Sequence, residues 1–450
     1  MIHELGEDSL SGIHPSLSET RAEVPLQCQP SHYATNSNRK IRVTSYRFNY
    51  LLDILDSPIL AGHYWARLML VDPHARALLT AIVQVPVTHE QQDIASLARA
   101  IADWDTLIDF AREHRILPLL LSRINGMDAS IPREAQERLR SEYDRNAFHT
   151  LANAAELVRL LRAFEQQNIP AMPFKGVVLA ASFYPSLTMR SAGDLDFLIF
   201  YRDLAPATSM LIAKGYELKT EVREDGSPAN PDYYEFHFER SSDGMVVELR
   251  WRLELIQPRF RRDLGMEWTW PRRRTVSVAG AEAPNLDPVS NLLILCMHGT
   301  KHLWSRMIWV CDIARLVAAH PELDWKEVTQ EAKQRGLWRA LALGVLLAQR
   351  ICGTAIPEAP LEQFASDRAV HELAEYFRRN MFEESGRMPP TRIPYNLRIL
   401  DSGDRIRWLL TMEFLRPNER DLAVVRLPNV LYPLYFLVRP FRVLFDRSAR

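Results

Sequence analysis

The chain has 450 residues, 47% hydrophobic and 25% charged, with a formal net charge of −1. This is ordinary globular composition, long enough for two or three domains and a sizeable core, and it excludes a fibrous or disulfide-built protein. Near-neutral charge removes any general pull toward nucleic acid or anionic membrane, and four scattered cysteines (Cys28, Cys296, Cys311, Cys352) with no C-x-x-C and no basic-then-apolar leader predict a reduced, cytoplasmic protein.

Residues 1–45 are rich in Ser, Pro, His, Asn and Glu and lack apolar periodicity, so they cannot bury enough surface to offset their ordering entropy; a disordered arm is expected. From 46 to 168 the pattern is helical and predicts an N-terminal helical subdomain. "DWDTLIDFAREHRILPLLLSRI" sets Trp104, Leu107, Ile108 and Ala111 at helical spacing before Pro118 interrupts, and "ANAAELVRLLRAFEQQNIP" closes a long amphipathic helix near Asn168. The period changes over 169–286. "IPAMPFKG" reads as a short strand, "VVLAASFY" as a helix, "GDLDFLIF" as a strand, "DLAPATSMLIAKGY" as a helix, and "YYEFHFERSSDGMVVELRWRL" as a hairpin turning at Asp243-Gly244. That β-α-β-α-β-β order predicts an α+β chain whose mixed sheet is flanked by helical subdomains. Over 287–450 the chain is helical again, with Asp287 placed to N-cap and Pro288 in the first turn. The apolar "VVRLPNVLYPLYFLVRPFRVLF" near the end is broken by Arg426, Arg439, Arg442 and three prolines, which argues against a spanning helix. Residues 426–447 suit peripheral membrane or protein contact, or packing on their own domain.

Asp194 and Asp196 interrupt an otherwise apolar strand, where carboxylates at i and i+2 face one side and repel unless a cation joins them. Chance alone gives about 7 acid-x-acid pairs in a chain with 56 acidic residues, so the surroundings decide. Lys175-Gly176 falls at a strand-to-helix turn, where glycine lets backbone N–H groups approach a phosphate; Arg190 precedes Asp194 by four residues; Glu248 lies in the second hairpin strand. Two strand aspartates and a glutamate from a neighbouring strand can hold two magnesium ions, with manganese as an alternative, and such ions clamp the attacking and leaving oxygens of an in-line displacement. Lys175 and Arg190 are candidate phosphate ligands, with solvated surface cations as the plain alternative. His298 and His302 share a helix face and could ligate zinc, but Gly299 stands where a zinc peptidase needs Glu, so a structural or substrate-contacting pair is the better expectation. Eight arginines between Arg250 and Arg274, including "RFRR" (259–262) and "PRRR" (271–274), make either a solvated basic face or a wall for an anionic substrate.

The stretch "FKGVVLAASFYPSLTMRSAGDLDFLIF" resembles the signature of a bacterial family of uncharacterised nucleotidyltransferases, a branch of the DNA polymerase β-like superfamily, at Lys175, Gly176, Tyr184, Pro185, Arg190, Asp194 and Asp196. "DWDTLIDFAREHRILPLL" and "LILCMHGTKHLWSRMIWVCDIARL" are similar to its leading and trailing helices, so the resemblance spans roughly residues 100–350. It implies transfer of a nucleoside monophosphate from an NTP, ATP among them, to a hydroxyl acceptor, with Asp194, Asp196 and Glu248 as catalytic metal ligands. The acceptor could be a small molecule, a saccharide or a protein, with no strong nucleic-acid signal. Where the family commonly shows an acid, an apolar residue and His-Trp, this chain has Glu248, Leu249, Arg250, Trp251. Arginine neither binds metal nor acts as a base at neutral pH, but pairs well with phosphate. Arg250 is therefore grouped with the substrate-binding candidates, and it is the main support for the alternative, a non-catalytic nucleotide-binding or scaffold protein of the same fold.

Overall fold

A computed structural model describes residues 72–127, 130–229, 233–253 and 264–382, together with 395, 398–400 and 434–435. The expected arm at 1–45 and nearly all of 426–447 lie outside the described residues. Helices α1 (Pro73–Val83), α2 (Gln91–Arg99), α3 (Trp104–Glu113), α4 (Leu117–Ile124) and the 34-residue α5 (Arg133–Gln166) precede the sheet. Asp103 caps α3 through the Thr106 amide, and Trp104, Leu107, Ile108 and Ala111 are buried as their spacing predicts. Pro118 does not break a helix but opens α4, within whose first turn no proline N–H is missed.

The five-stranded sheet runs β1-β2-β5-β4-β3, from β1 (Ala171–Phe174), β2 (Leu195–Ile199), β3 (Glu217–Leu218), β4 (Glu235–Arg240) and β5 (Met245–Arg250). Only β2 and β5 pair in parallel; the other contacts are antiparallel, so the sheet is mixed. Helix α6 (Gly176–Phe183) joins β1 to β2, and α7 (Leu204–Ala213) follows β2. Side chains alternate across a strand. Leu195, Phe197, Ile199, Phe236, Phe238, Val247 and Leu249 pack with Leu157, Leu160 and Phe164 of α5 and Met210 and Leu211 of α7. Asp196, Leu198, Glu248 and Arg250 therefore point to the opposite face, where Leu198, Met172 and Phe174 join a second core built mainly from helices. That two-sided burial sets the face the acids occupy.

Beyond the expected elements, a short helix α8 (Met266–Thr269) leads to a separate two-stranded ribbon, β6 (Arg274–Val278) and β7 (Ala281–Asn285), turning at Ala279 (φ 50°) and Gly280 (φ 80°). Ala-Gly lacks the Asn-Gly or Asp-Gly signal of such turns, and Pro284 sits within the second strand, so local sequence concealed it. Then follow α9 (Pro288–Lys301), capped by Asp287 as expected, α10 (Met307–Ala319), α11 (Trp325–Gln334), α12 (Trp338–Cys352), α13 (Glu358–Ala365) and α14 (Arg368–Asn380). Among the described residues, no helix is long and apolar enough to cross a membrane.

Candidate active site

The parallel register of β2 with β5 sets Asp196 directly opposite Glu248, and Asp194 immediately precedes the strand. Ligand oxygens of Asp194, Asp196 and Glu248 all lie within 4.8 Å of one another, the only such group of three or more His, Cys, Asp or Glu among the described residues. Three hard carboxylate oxygens at that spacing fit a magnesium-sized cation. Uncompensated, they repel, and two cations relieve this. Lys175 Nζ donates to Asp196 Oδ1 at 3.3 Å, and Arg250 Nε donates to the same oxygen at 3.2 Å. Asp196 is 6% exposed; burial raises its carboxyl above the usual range, while Lys175 and Arg250 pull it back.

Lys175 reaches the carboxylates because the strand-to-helix turn is strained. Its backbone sits at φ 60°, ψ −153°, a region normally left to glycine, and Gly176 follows at φ 44°. A Cβ on Gly176 would stand 3.4 Å from the Asp194 carbonyl oxygen, so this turn and the aspartate loop are in near contact. The first amides of α6 point from this turn without intrahelical acceptors, as at any helix start.

Two expectations need correction. Arg190 does not offer its guanidinium as a phosphate ligand. It is 6% exposed, and its Nε and Nη2 each donate to Asp312 of α10 at 2.8 Å while Nη1 donates to the Gly176 carbonyl at 3.0 Å. Tyr184 Oη donates to the same carboxylate at 2.7 Å. Burial opposes the Arg190 charge, but Asp312 outweighs it and holds the pKa above normal. Arg190 thus fastens the glycine turn to α10. Arg250 is likewise turned onto acids. It pairs with Glu248, with Asp196 and, at 2.5 Å, with Glu235, which the antiparallel register sets opposite it on the same face. Burial is outweighed by these three carboxylates, so its pKa is raised.

His298 and His302 lie within electrostatic reach of Lys175 and Arg250, the cations on Asp196, with their ring centroids 4.6 Å apart and 5.2 and 5.4 Å from Trp309. Burial first, then Lys175 for His298 and Lys301 for His302, pushes both well below the usual imidazole range. No third ligand joins them among the described residues. The glycine between them has a packing reason: a Cβ at Gly299 would fall 2.4 Å from the Trp304 ring. Of the basic segment, 259–262 lies outside the described residues, and Arg272 is held by Asp287 and Glu327 rather than facing the site.

Two arginines that sequence reasoning did not single out also border the site. Arg115, at φ 57° between α3 and α4, lies against the loop that carries Asp194: a Cβ on Gly193 would stand 3.7 Å from its Nη2. Arg306 opens α10, with its guanidinium 5.9 Å from the Trp309 ring. Nothing local distinguishes "EHRIL" or "WSRMI" from any helix end, so only tertiary packing reveals them.

The family model described as uncharacterised nucleotidyltransferase matches residues 101–353, more than half of the chain. No curated protein matches. Among solved structures, a solution structure of the antibiotic-resistance factor ANT(2'')-Ia is similar at 14% identity, with 42% of this chain and 93% of that chain covered and a TM-score of 0.28. A crystal structure of ANT(2")-Ia in complex with adenylyl-2"-tobramycin is similar at 14% identity, 42% and 98% coverage and a TM-score of 0.27.

Proposed function

We propose a specific reaction for this chain, which belongs to the family of uncharacterised nucleotidyltransferases and is a transferase: it moves a nucleoside monophosphate from an NTP to a hydroxyl acceptor and releases pyrophosphate. The carrying observation is the meeting of Asp194, Asp196 and Glu248 within 4.8 Å beside a strained lysine-glycine turn. These oxygens would hold divalent magnesium, which when bound neutralises phosphate charge and polarises the reacting oxygens. The acceptor oxygen attacks the α-phosphorus, the bond to the β-phosphate oxygen breaks with its electron pair leaving on pyrophosphate, and the hydroxyl proton passes to Glu248. Lys175 and the amides at Gly176 would steady the phosphates, and the Arg190–Asp312 pair would keep that turn in place. Neutral His298 and His302 would contact substrate. Most of the rate gain would come from positioning and charge stabilisation.

A second reading, a nucleotide-binding scaffold, draws on Arg250, which already occupies three carboxylates. Incubation with each labelled NTP, magnesium and a panel of hydroxyl acceptors discriminates between them: pyrophosphate release by wild type supports the transferase. Asp194→Asn should abolish magnesium-dependent NTP binding while the melting temperature holds or rises, because one repelling charge is gone. Unchanged magnesium-dependent affinity in that variant would refute the metal assignment.

A further inference from the structure

We propose that Arg115 and Arg306 form a two-guanidinium clamp that binds the β- and γ-phosphates of the nucleotide and then the departing pyrophosphate. This rests on the nucleotidyl-transfer reading and assigns the phosphate grip that Arg190, committed to Asp312, does not supply.

The two arginines come from segments almost 200 residues apart, and a backbone clip brings them together. The Met307 N–H donates to His114 Nδ1 at 3.1 Å and the Ile308 N–H donates to the His114 carbonyl at 3.2 Å. Each clip residue is the immediate neighbour of an arginine or one step from it, so the guanidinium stems leave the same junction. His114 is 6% exposed and its clip is internal, which makes the junction a built feature rather than a surface accident.

Several half-buried or buried arginines have acids to face: Arg190 has Asp312, Arg240 has Glu156 and Asp243, and Arg272 has Asp287. Arg115 and Arg306 form no ion pair or guanidinium hydrogen bond among the described residues. Arg115 is partly buried, and burial first, then the like charge of Arg306, bring its pKa down to about 10, against the weaker pull of Asp194 and Asp312. Two neighbouring like charges with no ion-pair partner are unfavourable, and a polyanion bound between them removes that penalty. Guanidinium suits phosphate oxygens because its planar fork donates two hydrogen bonds at once. Location supplies the identity of the anion. Arg115 lies against Gly193, next to Asp194, and the Asp194 carbonyl in turn lies against Gly176 at the start of α6. The clamp is thus on the side of the acids where the glycine turn would receive the phosphate tail.

The test uses the full chain with Arg115→Ala, Arg306→Ala and Arg115→Lys. Inorganic pyrophosphate and tripolyphosphate are titrated calorimetrically in EDTA, so that no metal contributes. Binding by wild type, weakened on the order of 10-fold or more by each alanine and by less in the lysine variant, is the expected result. Melting temperatures without ligand should be unchanged or higher in the alanine variants, and the rise that pyrophosphate gives wild type should be lost. Pyrophosphate should also compete with a non-hydrolysable NTP analogue. The clamp is refuted if wild type does not bind pyrophosphate, if folded alanine variants bind it as wild type does, or if pyrophosphate and the NTP analogue bind together, which would place an acceptor's phosphate there instead. A failure of the transferase reading looks different: no pyrophosphate release from any NTP, with the metal-free pyrophosphate binding and its loss in the variants intact.

Discussion

Removing one half of the Arg190–Asp312 pair decides whether Arg190 is part of the scaffold or a phosphate ligand. In Asp312→Ala, a guanidinium that is 7% exposed loses two hydrogen bonds of 2.8 Å to a carboxylate that is fully buried, and the Tyr184 hydroxyl loses its 2.7 Å acceptor. Leaving a buried charge without its partner costs about 3–5 kcal/mol, and stranding a buried hydroxyl adds about 1–3 kcal/mol, though the two overlap because both groups can turn to remaining carbonyls. A net loss of about 4 kcal/mol is a large part of a typical folding free energy. At roughly 2–4 °C per kcal/mol for a large domain, the melting temperature should drop on the order of 10 °C. Arg190→Ala should fall by a similar amount, since it leaves Asp312 buried and unpaired. The double substitution Arg190→Met with Asp312→Leu should recover most of the loss, because no buried charge is then stranded. Thermal melts of the four proteins, with circular dichroism at one wavelength, suffice. If Arg190→Ala melts within about 2 °C of wild type, roughly 0.5–1 kcal/mol, and instead loses triphosphate affinity, the structural role is wrong and the guanidinium serves the ligand.

Three further outcomes are expected. Glu248→Gln should leave NTP affinity nearly intact and lower turnover on the order of 10²-fold or more in a pyrophosphate-release assay, and full retained rate would remove Glu248 from the acceptor side of the site. His114 accepts from Met307, so the fold needs its neutral form, and burial followed by Arg306 depresses its pKa from about 6.5 to about 4. The unfolded chain takes up the proton first, so stability present above about pH 6.5 is lost as pH falls toward 4, by about 3 kcal/mol from this group; wild type should lose more over that window than His114→Leu in parallel denaturant titrations. Gly299→Ala should lower the melting temperature despite better helix propensity, since its Cβ would meet the buried Trp304 ring at 2.4 Å and overpacking of about 1–3 kcal/mol exceeds a gain of about 1 kcal/mol.

The chain's own pattern was enough to place, in chain order, four of the five strands of the α+β core and the helices between them, while the two-residue β3 (Glu217–Leu218) carried no signal. Period-2 alternation in "EFHFER" and "MVVELR" separated Phe236, Phe238, Val247 and Leu249 from Glu235 and Glu248, and the Asp243-Gly244 turn set their pairing. Asp194, Asp196 and Glu248 were legible as candidates because an acid inside an apolar strand conflicts with burial unless something offsets its charge. What any basic residue near them does was not legible, because a cation's role depends on which anion lies within reach, and that is a long-range property. Arg190 reads as a phosphate ligand from its place four residues before Asp194, but Asp312, more than 100 residues later, claims it. Arg250 is drawn onto Glu235 and Glu248 by strand register, and Arg115 meets Arg306 only because α10 docks on the loop after α3. Local sequence determines which residues face a sheet or cap a helix, since those are contacts a few residues apart. Tertiary packing alone decides which charges are neutralised and which are left open to a ligand.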